Sequence, residues 1–179
     1  MLRLIHGETK SKFYPDFVAD SVNDINFDYL VKIGVKAVFI DLDGTVVVRK
    51  KHDVSLEIIH ALQKQNLSVY IASNRSRNHI DNSLFDKLSA ENVILHKGIW
   101  HKPSKKYYLN ALNKLHLQPQ EVAMIGDRYI QDIFGANNTG LHTILVHKLD
   151  TADNYFDKYL SKIEAYRTKK ILKHYIKID

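Results

Sequence analysis

The stretch that decides the fold covers residues 35–45 and reads Val-Lys-Ala-Val-Phe-Ile-Asp-Leu-Asp-Gly-Thr. Its apolar run is typical of a strand that is buried on both faces of a sheet. The run ends in Asp41 and Asp43, which lie on the same side of a continuing strand because they are two positions apart. Two acids that close repel each other unless a positive charge lies between them. Because Mg²⁺ prefers oxygen ligands, the stretch predicts a place where this ion and a phosphate group can meet.

Two neighbouring carboxylates can take two different chemical roles in one reaction. One Asp can attack phosphorus and form an aspartyl-phosphate, while the other moves protons. The alternative is a polar strand end followed by a simple turn, since a motif as short as Asp-Leu-Asp-Gly-Thr also occurs by chance. Residues further along the chain have to decide between the two interpretations.

The composition indicates one globular core. The chain has 179 residues, of which 45% are hydrophobic and 26% are charged, enough for one core and too few for two ordinary domains. It contains no cysteine, which excludes disulfides and thiolate zinc sites and fits a reducing, cytoplasmic setting. The sequence shows neither a secretory signal nor an apolar run of about 20 residues that could span a membrane.

The formal net charge is +6, and basic residues are concentrated beyond residue 157. A helix predicted over 154–176 would carry most of them. Such a helix is either a solvated surface element or a surface that rests on an anionic membrane. The composition therefore leaves a peripheral membrane contact open and does not establish it.

Strand-like and helix-like patterns alternate from residue 35 onward, which predicts an α/β fold, a three-layer doubly wound parallel sheet with right-handed crossovers. The predicted strands are 35–40, 68–72, 92–95, 121–125 and 142–146, and the predicted helices include 56–65, 105–116 and 129–137. We expect Ser104 to open the helix 105–116, with its inward face formed by Tyr108, Leu109, Leu112 and Leu115. We expect three parts: residues 1–34 as an N-terminal extension packed on the core, residues 35–150 as the core, and residues 151–179 as a basic C-terminal helix.

Polar residues follow three of the predicted strands at equivalent ends. Ligands bind at the carboxyl ends of the strands in parallel sheets of this kind. The residues just beyond those ends are Asp41 and Asp43, Ser73 and Asn74, and Gly126 and Asp127.

Four segments in this order resemble the four motifs of the haloacid dehalogenase (HAD) superfamily, over about residues 35–147. They are Asp41-Leu-Asp-Gly-Thr45, Ser73-Asn74, Lys102-Pro103 and Gly126-Asp127-Arg-Tyr-Ile-Gln-Asp132. The resemblance implies a Rossmann-like core and a phosphatase, since dehalogenases lack an acid at the position of Asp43.

The resemblance also implies a role for each residue in the first two motifs. Asp41 would be the nucleophile, and Asp43 would protonate the leaving oxygen and then activate water. Thr45 would support the loop by hydrogen bonding. Ser73 and the backbone N–H of Asn74 would bind phosphate oxygens at the start of a helix predicted around 77–86.

For the last two motifs, the resemblance implies a cation and a metal site. Lys102 would neutralise charge on the phosphoryl group and the nucleophile. Asp127, after Gly126, would bind Mg²⁺ together with Asp41 and the backbone carbonyl of Asp43. Asp132 would either hold a metal-bound water or orient Lys102.

Within the superfamily, the chain is similar to subfamily IIIA and to its YqeG-like phosphatases. The similarity includes Pro15-Asp-Phe17 and Asp20-Ser21-Val22-Asn-Asp-Ile25, upstream of the nucleophile. The motif intervals 46–72 and 75–101 are too short to hold a cap domain, so we expect an uncapped site that is open unless a partner subunit or the N-terminal arm covers it. Related members include phosphatidylglycerophosphate phosphatases, whose substrate would suit an open site and a basic helix on anionic lipid.

Several functions stay open at this point. The favoured one is a Mg²⁺-dependent phosphomonoester hydrolase, with phosphatidylglycerophosphate as its substrate. Soluble sugar phosphates and nucleic acid ends are alternative substrates. A phospho-binding module of the same fold without catalysis is a second class, which Asp43 and the arrangement of Gly126, Asp127 and Asp132 disfavour. A nucleic-acid binder that uses the basic tail is a third.

Overall fold

A computed structural model describes residues 1–4, 11–47, 67–75, 93–95, 99–147 and 174–178. Within these residues, eight strands form one sheet in the order β5-β4-β3-β6-β7-β2-β1-β8. The strands are β1 (Leu2–Leu4), β2 (Phe17–Ala19), β3 (Ala37–Asp41), β4 (Ser68–Ser73), β5 (Val93–Leu95), β6 (Val122–Gly126), β7 (His142–Val146) and β8 (Tyr175–Lys177).

The described helices are short apart from one. They are α1 (Phe27–Lys32), α2 (Lys105–Leu115) and α3 (Gly135–Asn137), with a π-helical turn at Tyr129–Phe134 that leads directly into α3. Single 3₁₀ turns occupy Val22–Asp24 and Pro119–Glu121. The predicted helices at 56–65 and 77–86, and most of the two intervals that decide whether a cap is present, lie outside the described residues.

The predicted α/β fold is confirmed, with the five predicted strands at β3 to β7. Strands β5, β4, β3, β6, β7 and β2 pair in parallel. The parallel sheet predicted from these strands is confirmed, and at one edge it continues into β1, which pairs antiparallel with both β2 and β8. Parallel neighbours need a long crossover connection, usually a helix, and the described residues between β1 and β2, 11–16, contain no helix.

The central strand β3 supports packing on both faces of the sheet because its side chains alternate in direction. Ile40 lies in one apolar cluster with Leu30 of α1, whereas Phe39 lies in another cluster with Leu112 of α2. All four side chains are almost fully buried, and each such burial stabilises the fold by about 1.5–3 kcal/mol. Helices therefore cover both faces of the sheet, as a three-layer fold requires.

Helix α2 begins at the predicted cap, since Ser104 Oγ accepts a hydrogen bond of 3.3 Å from the backbone N–H of Lys106. The inward face differs from the predicted stripe. Tyr107 and Ala111 are buried, whereas Leu109 and Leu115, which we expected to face inward, are only partly buried. The buried stripe is thus rotated toward the side on which Tyr107 approaches the ends of the neighbouring strands.

Both ends of the chain take part in the sheet. Residues from the predicted N-terminal extension form β1 and β2, and Tyr175 OH donates a hydrogen bond of 2.5 Å to the backbone carbonyl of Pro15. The expected C-terminal helix is wrong for Tyr175–Lys177, which form β8 because they pair with β1 at the sheet edge. Residues 148–173 lie outside the described residues, and the boundaries at 34 and 150 stay a prediction.

Among the residues that the structure describes, none of the helices has both the length and the apolar character that a membrane-spanning segment needs.

Gly135 provides a test of how tightly α2 packs against α3. A Cβ at this position would lie 2.8 Å from Cε2 of Tyr108 and 2.9 Å from Cα of Pro103. We expect Gly135→Ala to lower the free energy of unfolding by about 1–3 kcal/mol, because the clash outweighs the gain in helix propensity. Denaturant unfolding followed by circular dichroism measures this change.

The matched control is Asn110→Ala on the exposed side of α2, where alanine should stabilise the protein by a few tenths of a kcal/mol through helix propensity alone. Equal stabilisation by both substitutions would contradict the tight packing around Gly135.

Candidate active site

Three neighbouring strands bring the polar residues of the sequence motifs to one edge of the sheet. β4, β3 and β6 are adjacent and parallel. They end at Ser73, Asp41 and Gly126, the last of which precedes Asp127. Their carboxyl ends therefore meet at the place where ligands bind in open parallel sheets.

Lys102 lies at the centre of this edge and is 1% exposed. Its Nζ donates a hydrogen bond of 2.5 Å to Asp41 Oδ1 and another of 2.7 Å to Asp132 Oδ1. A buried ammonium is costly unless it is paired and hydrogen-bonded. Burial lowers the pKa of Lys102, but the attraction of Asp132 and Asp41 outweighs it and holds the pKa well above its ordinary value. Lys102 is therefore a fixed positive charge beside Asp41.

Three buried acids surround a common point. Carboxylate oxygens of Asp41, Asp127 and Asp132 all lie within 4.8 Å of one another. Burial raises the pKa of Asp41 to about 7, and Asp132 and Asp43 add to the shift while Lys102 opposes it. Burial, followed by repulsion from Asp132 and Asp41, raises the pKa of Asp127 to about 8. Among these four groups, three carboxylates face one ammonium, so a cation with a preference for oxygen ligands fits the cluster.

The π-helical turn after β6 places Asp132. The backbone N–H of Arg128 donates a hydrogen bond of 3.1 Å to Asp132 Oδ2, while the other oxygen of this carboxylate accepts from Lys102. A Cβ on Gly126 would lie only 2.4 Å from Cγ of Asp132. Glycine is therefore required at position 126, because any side chain would displace the carboxylate that fixes Lys102.

The loop after β3 holds Asp127 from the other side. Thr45 is buried, and its Oγ1 donates a hydrogen bond of 3.3 Å to Asp127 Oδ1. Gly44 makes the turn with a φ of 87°, a backbone region that side chains with a Cβ rarely adopt. Thr45 thus links the first and last motifs, beyond the support of its own loop that we expected.

The end of β4 connects to the loop that carries Lys102. Asn74 Oδ1 accepts a hydrogen bond of 2.7 Å from the backbone N–H of Lys102, and Asn74 Nδ2 donates one of 3.0 Å to the Lys102 carbonyl. Ser73 is buried, and its Oγ accepts from the backbone N–H of Arg75 at 3.0 Å. That bond uses a lone pair of Ser73 and leaves its hydroxyl proton to donate. The side chain of Asn74 therefore has a positioning contact that sequence reasoning did not predict.

Asp43 has a different neighbour from the other acids. Arg75 forms a forked ion pair with it, in which Nε donates to Oδ2 at 2.8 Å and a terminal nitrogen donates to Oδ1. Both side chains are partly exposed. Sequence reasoning missed Arg75, although its position directly after Ser73-Asn74 put it in the same strand-end turn.

The predicted site residues fall into two groups. Asp41, Lys102, Asp127 and Asp132 form one buried network, to which Thr45, Gly126 and Asn74 are joined by the contacts described above. The side chain of Asp43 instead points to Arg75, near enough to Asp41 to raise its pKa. The arrangement can hold a cation, an anionic group and a nucleophilic carboxylate within one small volume.

Comparison with known proteins gives a consistent result. Residues 99–169 match the model of the HAD-hydrolase-like family. The probable phosphatase YqeG of Bacillus subtilis (strain 168) is 26% identical over 161 residues, which cover 87% of this chain and 89% of that protein. A phospholysine phosphohistidine inorganic pyrophosphate phosphatase of Xenopus laevis is 34% identical over 74 residues, 35% of this chain and 27% of that protein.

The fold also occurs among solved structures. An uncharacterized protein from Listeria monocytogenes serotype 4b superposes with a TM-score of 0.53 at 20% identity, over 68% of this chain and 84% of that one. The chain is therefore similar to the haloacid dehalogenase superfamily through the family model over residues 99–169, and to a probable phosphatase along most of both chains.

Proposed function

We propose that this phosphatase is a Mg²⁺-dependent phosphomonoester hydrolase in which Asp41 is the nucleophile and forms an aspartyl-phosphate. The observation that carries the proposal is the ion pair between Lys102 Nζ and Asp41 Oδ1 at 2.5 Å, with Asp127 and Asp132 gathered around the same point. A carboxylate at a strand end, beside a fixed cation and other acids, is suited to attack phosphorus while the cation offsets charge on the phosphoryl oxygens.

The donor set fits Mg²⁺. All the side-chain oxygens in the cluster are carboxylates, which hard divalent cations prefer, and Asp41 and Asp127 hold protons more tightly than usual, a sign that positive charge is needed there. We assign the ion to Asp41, Asp127 and the backbone carbonyl of Asp43. Such an ion would neutralise charge between the nucleophile and the phosphate.

The residues around Asp41 account for each part of the reaction. A carboxylate oxygen of Asp41 bonds to phosphorus as the bond to the leaving oxygen breaks. Lys102, the hydroxyl of Ser73 and the backbone N–H of Asn74 stabilise the charge on the phosphoryl oxygens. Asp43 gives a proton to the leaving oxygen, then takes one from the water that hydrolyses the aspartyl-phosphate. Asp132 orients Lys102 through the 2.7 Å contact.

Phosphatidylglycerophosphate is our proposed substrate, with the enzyme bound peripherally to an anionic membrane. Support comes from the basic residues beyond position 157 and from Trp100 and Ile99, which are exposed by 37% and 76% and stand just before Lys102 in the chain. Tryptophan and basic side chains are favoured at membrane interfaces. Soluble sugar phosphates and nucleic acid ends remain the alternative substrates.

The nucleophile assignment predicts the effect of Asp41→Asn. The amide cannot attack phosphorus, so hydrolysis of 4-nitrophenyl phosphate with Mg²⁺ should fall by at least about a thousandfold, and EDTA should abolish the wild-type activity. Asp28→Asn, which changes an exposed acid of α1, is the control and should keep full activity. An Asp41→Asn protein with activity near that of the wild type would overturn the assignment.

The raised pKa values predict how stability depends on pH without metal. Between about pH 4 and pH 8 the native protein binds more protons than the unfolded chain at Asp41 and Asp127, whose pKa values rise from 3.8 to about 7 and about 8. Stability from these groups is therefore present at low pH and is lost as the pH rises. In EDTA, we expect the melting temperature to fall from pH 5.5 to pH 8.5.

Asp127→Asn removes one of the two groups and should flatten this fall, whereas Asp28→Asn should leave it unchanged. An unaltered slope in the Asp127→Asn protein would show that the buried acids do not determine the pH dependence.

The lipid proposal predicts faster turnover of phosphatidylglycerophosphate in anionic vesicles than of soluble sugar phosphates or 5′-phosphorylated oligonucleotides. The test substitutes Gln for Lys158, Lys162, Lys169 and Lys170, which all lie outside β8. In a sedimentation assay, vesicle binding should weaken by about 1 kcal/mol for each of these lysines that reaches the membrane surface. Lys32→Gln with Lys114→Gln is the control. Equal or better turnover of a soluble ester would assign the enzyme to that substrate instead.

A further inference from the structure

The forked contact with Arg75 engages both carboxylate oxygens of Asp43. The proposed function assigns proton transfer at the leaving oxygen to this same carboxylate. Arg75 Nε donates to one oxygen at 2.8 Å, and a terminal nitrogen donates to the other. A fork of this kind is among the stronger ion pairs because it satisfies two hydrogen bonds in a fixed geometry. The fork takes one lone pair on each oxygen and fixes the direction in which the carboxylate points. When Asp43 turns toward the leaving oxygen of a substrate, it gives up at least part of this fork.

The ion pair of Arg75 and Asp43 lies on a more exposed side of the site than Lys102. The phosphoryl site is formed around Lys102, whose side chain is 1% exposed, whereas the side chains of Arg75 and Asp43 are 23% and 26% exposed. Asp43 acts on the leaving oxygen, so its partner Arg75 stands on the same, more open side. Any charge that Arg75 meets in a substrate would thus belong to the leaving group.

A neutral leaving group offers no anion that could replace the Asp43 carboxylate as the hydrogen-bond partner of Arg75. A guanidinium has only hydrogen-bond donors and no acceptor. An anion on the leaving group, such as a phosphodiester, a carboxylate or a second phosphate, would accept the same forked hydrogen bonds. Exchange of one anion for another keeps Arg75 paired throughout, whereas release without exchange leaves it uncompensated at a partly buried position.

We propose that Arg75 is a specificity-determining residue that selects phosphomonoesters whose leaving group carries a second negative charge, to which it transfers from Asp43 when substrate binds. The proposal rests on the proposed function, because it assumes that Asp43 serves the leaving oxygen. The substrate class follows from the contact between Arg75 and Asp43 and does not depend on a membrane.

Two soluble esters separate the effect of the second charge from that of a lipid. One is glycerol 3-phosphate, whose leaving group is neutral. The other is glycerophosphoglycerophosphate, in which the same glycerol also carries a phosphodiester. The wild-type kcat/KM should favour the phosphodiester compound by at least about tenfold, the effect of one charge-assisted fork. Arg75→Gln should remove most of this preference, mainly by raising KM for the charged ester, while Arg75→Lys should retain part of it.

Lys105→Gln is the matched control, since it removes a positive charge from an exposed residue three positions after Lys102, and the preference should persist there. Wild-type protein that hydrolyses both esters equally well would overturn the role of Arg75, whether or not the variants fold. An equal loss on both esters in a folded Arg75→Gln protein would overturn it too. Wild-type protein with Mg²⁺ that hydrolyses no phosphomonoester would instead defeat the proposed function itself.

Discussion

The ammonium of Lys102, sealed between Asp41 and Asp132, is the interaction on which the rest of the site depends. A charge at 1% exposure is tolerated only because two carboxylates receive it at 2.5 and 2.7 Å. Residues farther from the ammonium support the same ion pairs. Asn74 fixes the backbone of Lys102 from β4, and Gly126 leaves the space that Asp132 fills. Removal of Lys102 would leave two buried carboxylates without their cation, and removal of Asp41 or Asp132 would leave the ammonium with a single partner. The three strand ends and the π-helical turn therefore hold one another in place.

The same arrangement creates an electrostatic imbalance that gives the site its chemistry. Lys102 offsets part of the negative charge, but Asp127 faces the same point and holds its proton up to a pH of about 8. A divalent cation bound between Asp41 and Asp127 would relieve the repulsion among the buried acids, and a phosphate ester could then approach Asp41. The repulsion among the buried acids lowers the stability of the protein, and the same acids suit the site to chemistry. This combination is common where buried groups of like charge meet.

The parallel sheet and most of the site could be predicted from the sequence, because the geometry of strands determines them. Parallel strands must end at one edge, so Asp41, Ser73 and Asp127 had to converge. The two-residue alternation of a strand did not place Asp43, because β3 ends at Asp41 and Asp43 pairs with Arg75 instead. The fork between Arg75 and Asp43 depends on side-chain conformations that no local pattern specifies. The pairing of β8 with β1 joins residues from opposite ends of the chain, and a basic, helix-like tail pattern gave no sign of it.

A calorimetric titration of the metal-free protein with Mg²⁺ near pH 7, repeated in buffers of different ionisation enthalpy, tests the central claim most directly. If the buried acids hold protons that the ion displaces, binding should release protons, and both the release and the affinity should fall in Asp127→Asn. Binding without any proton exchange, or with equal affinity in the variant, would contradict the account.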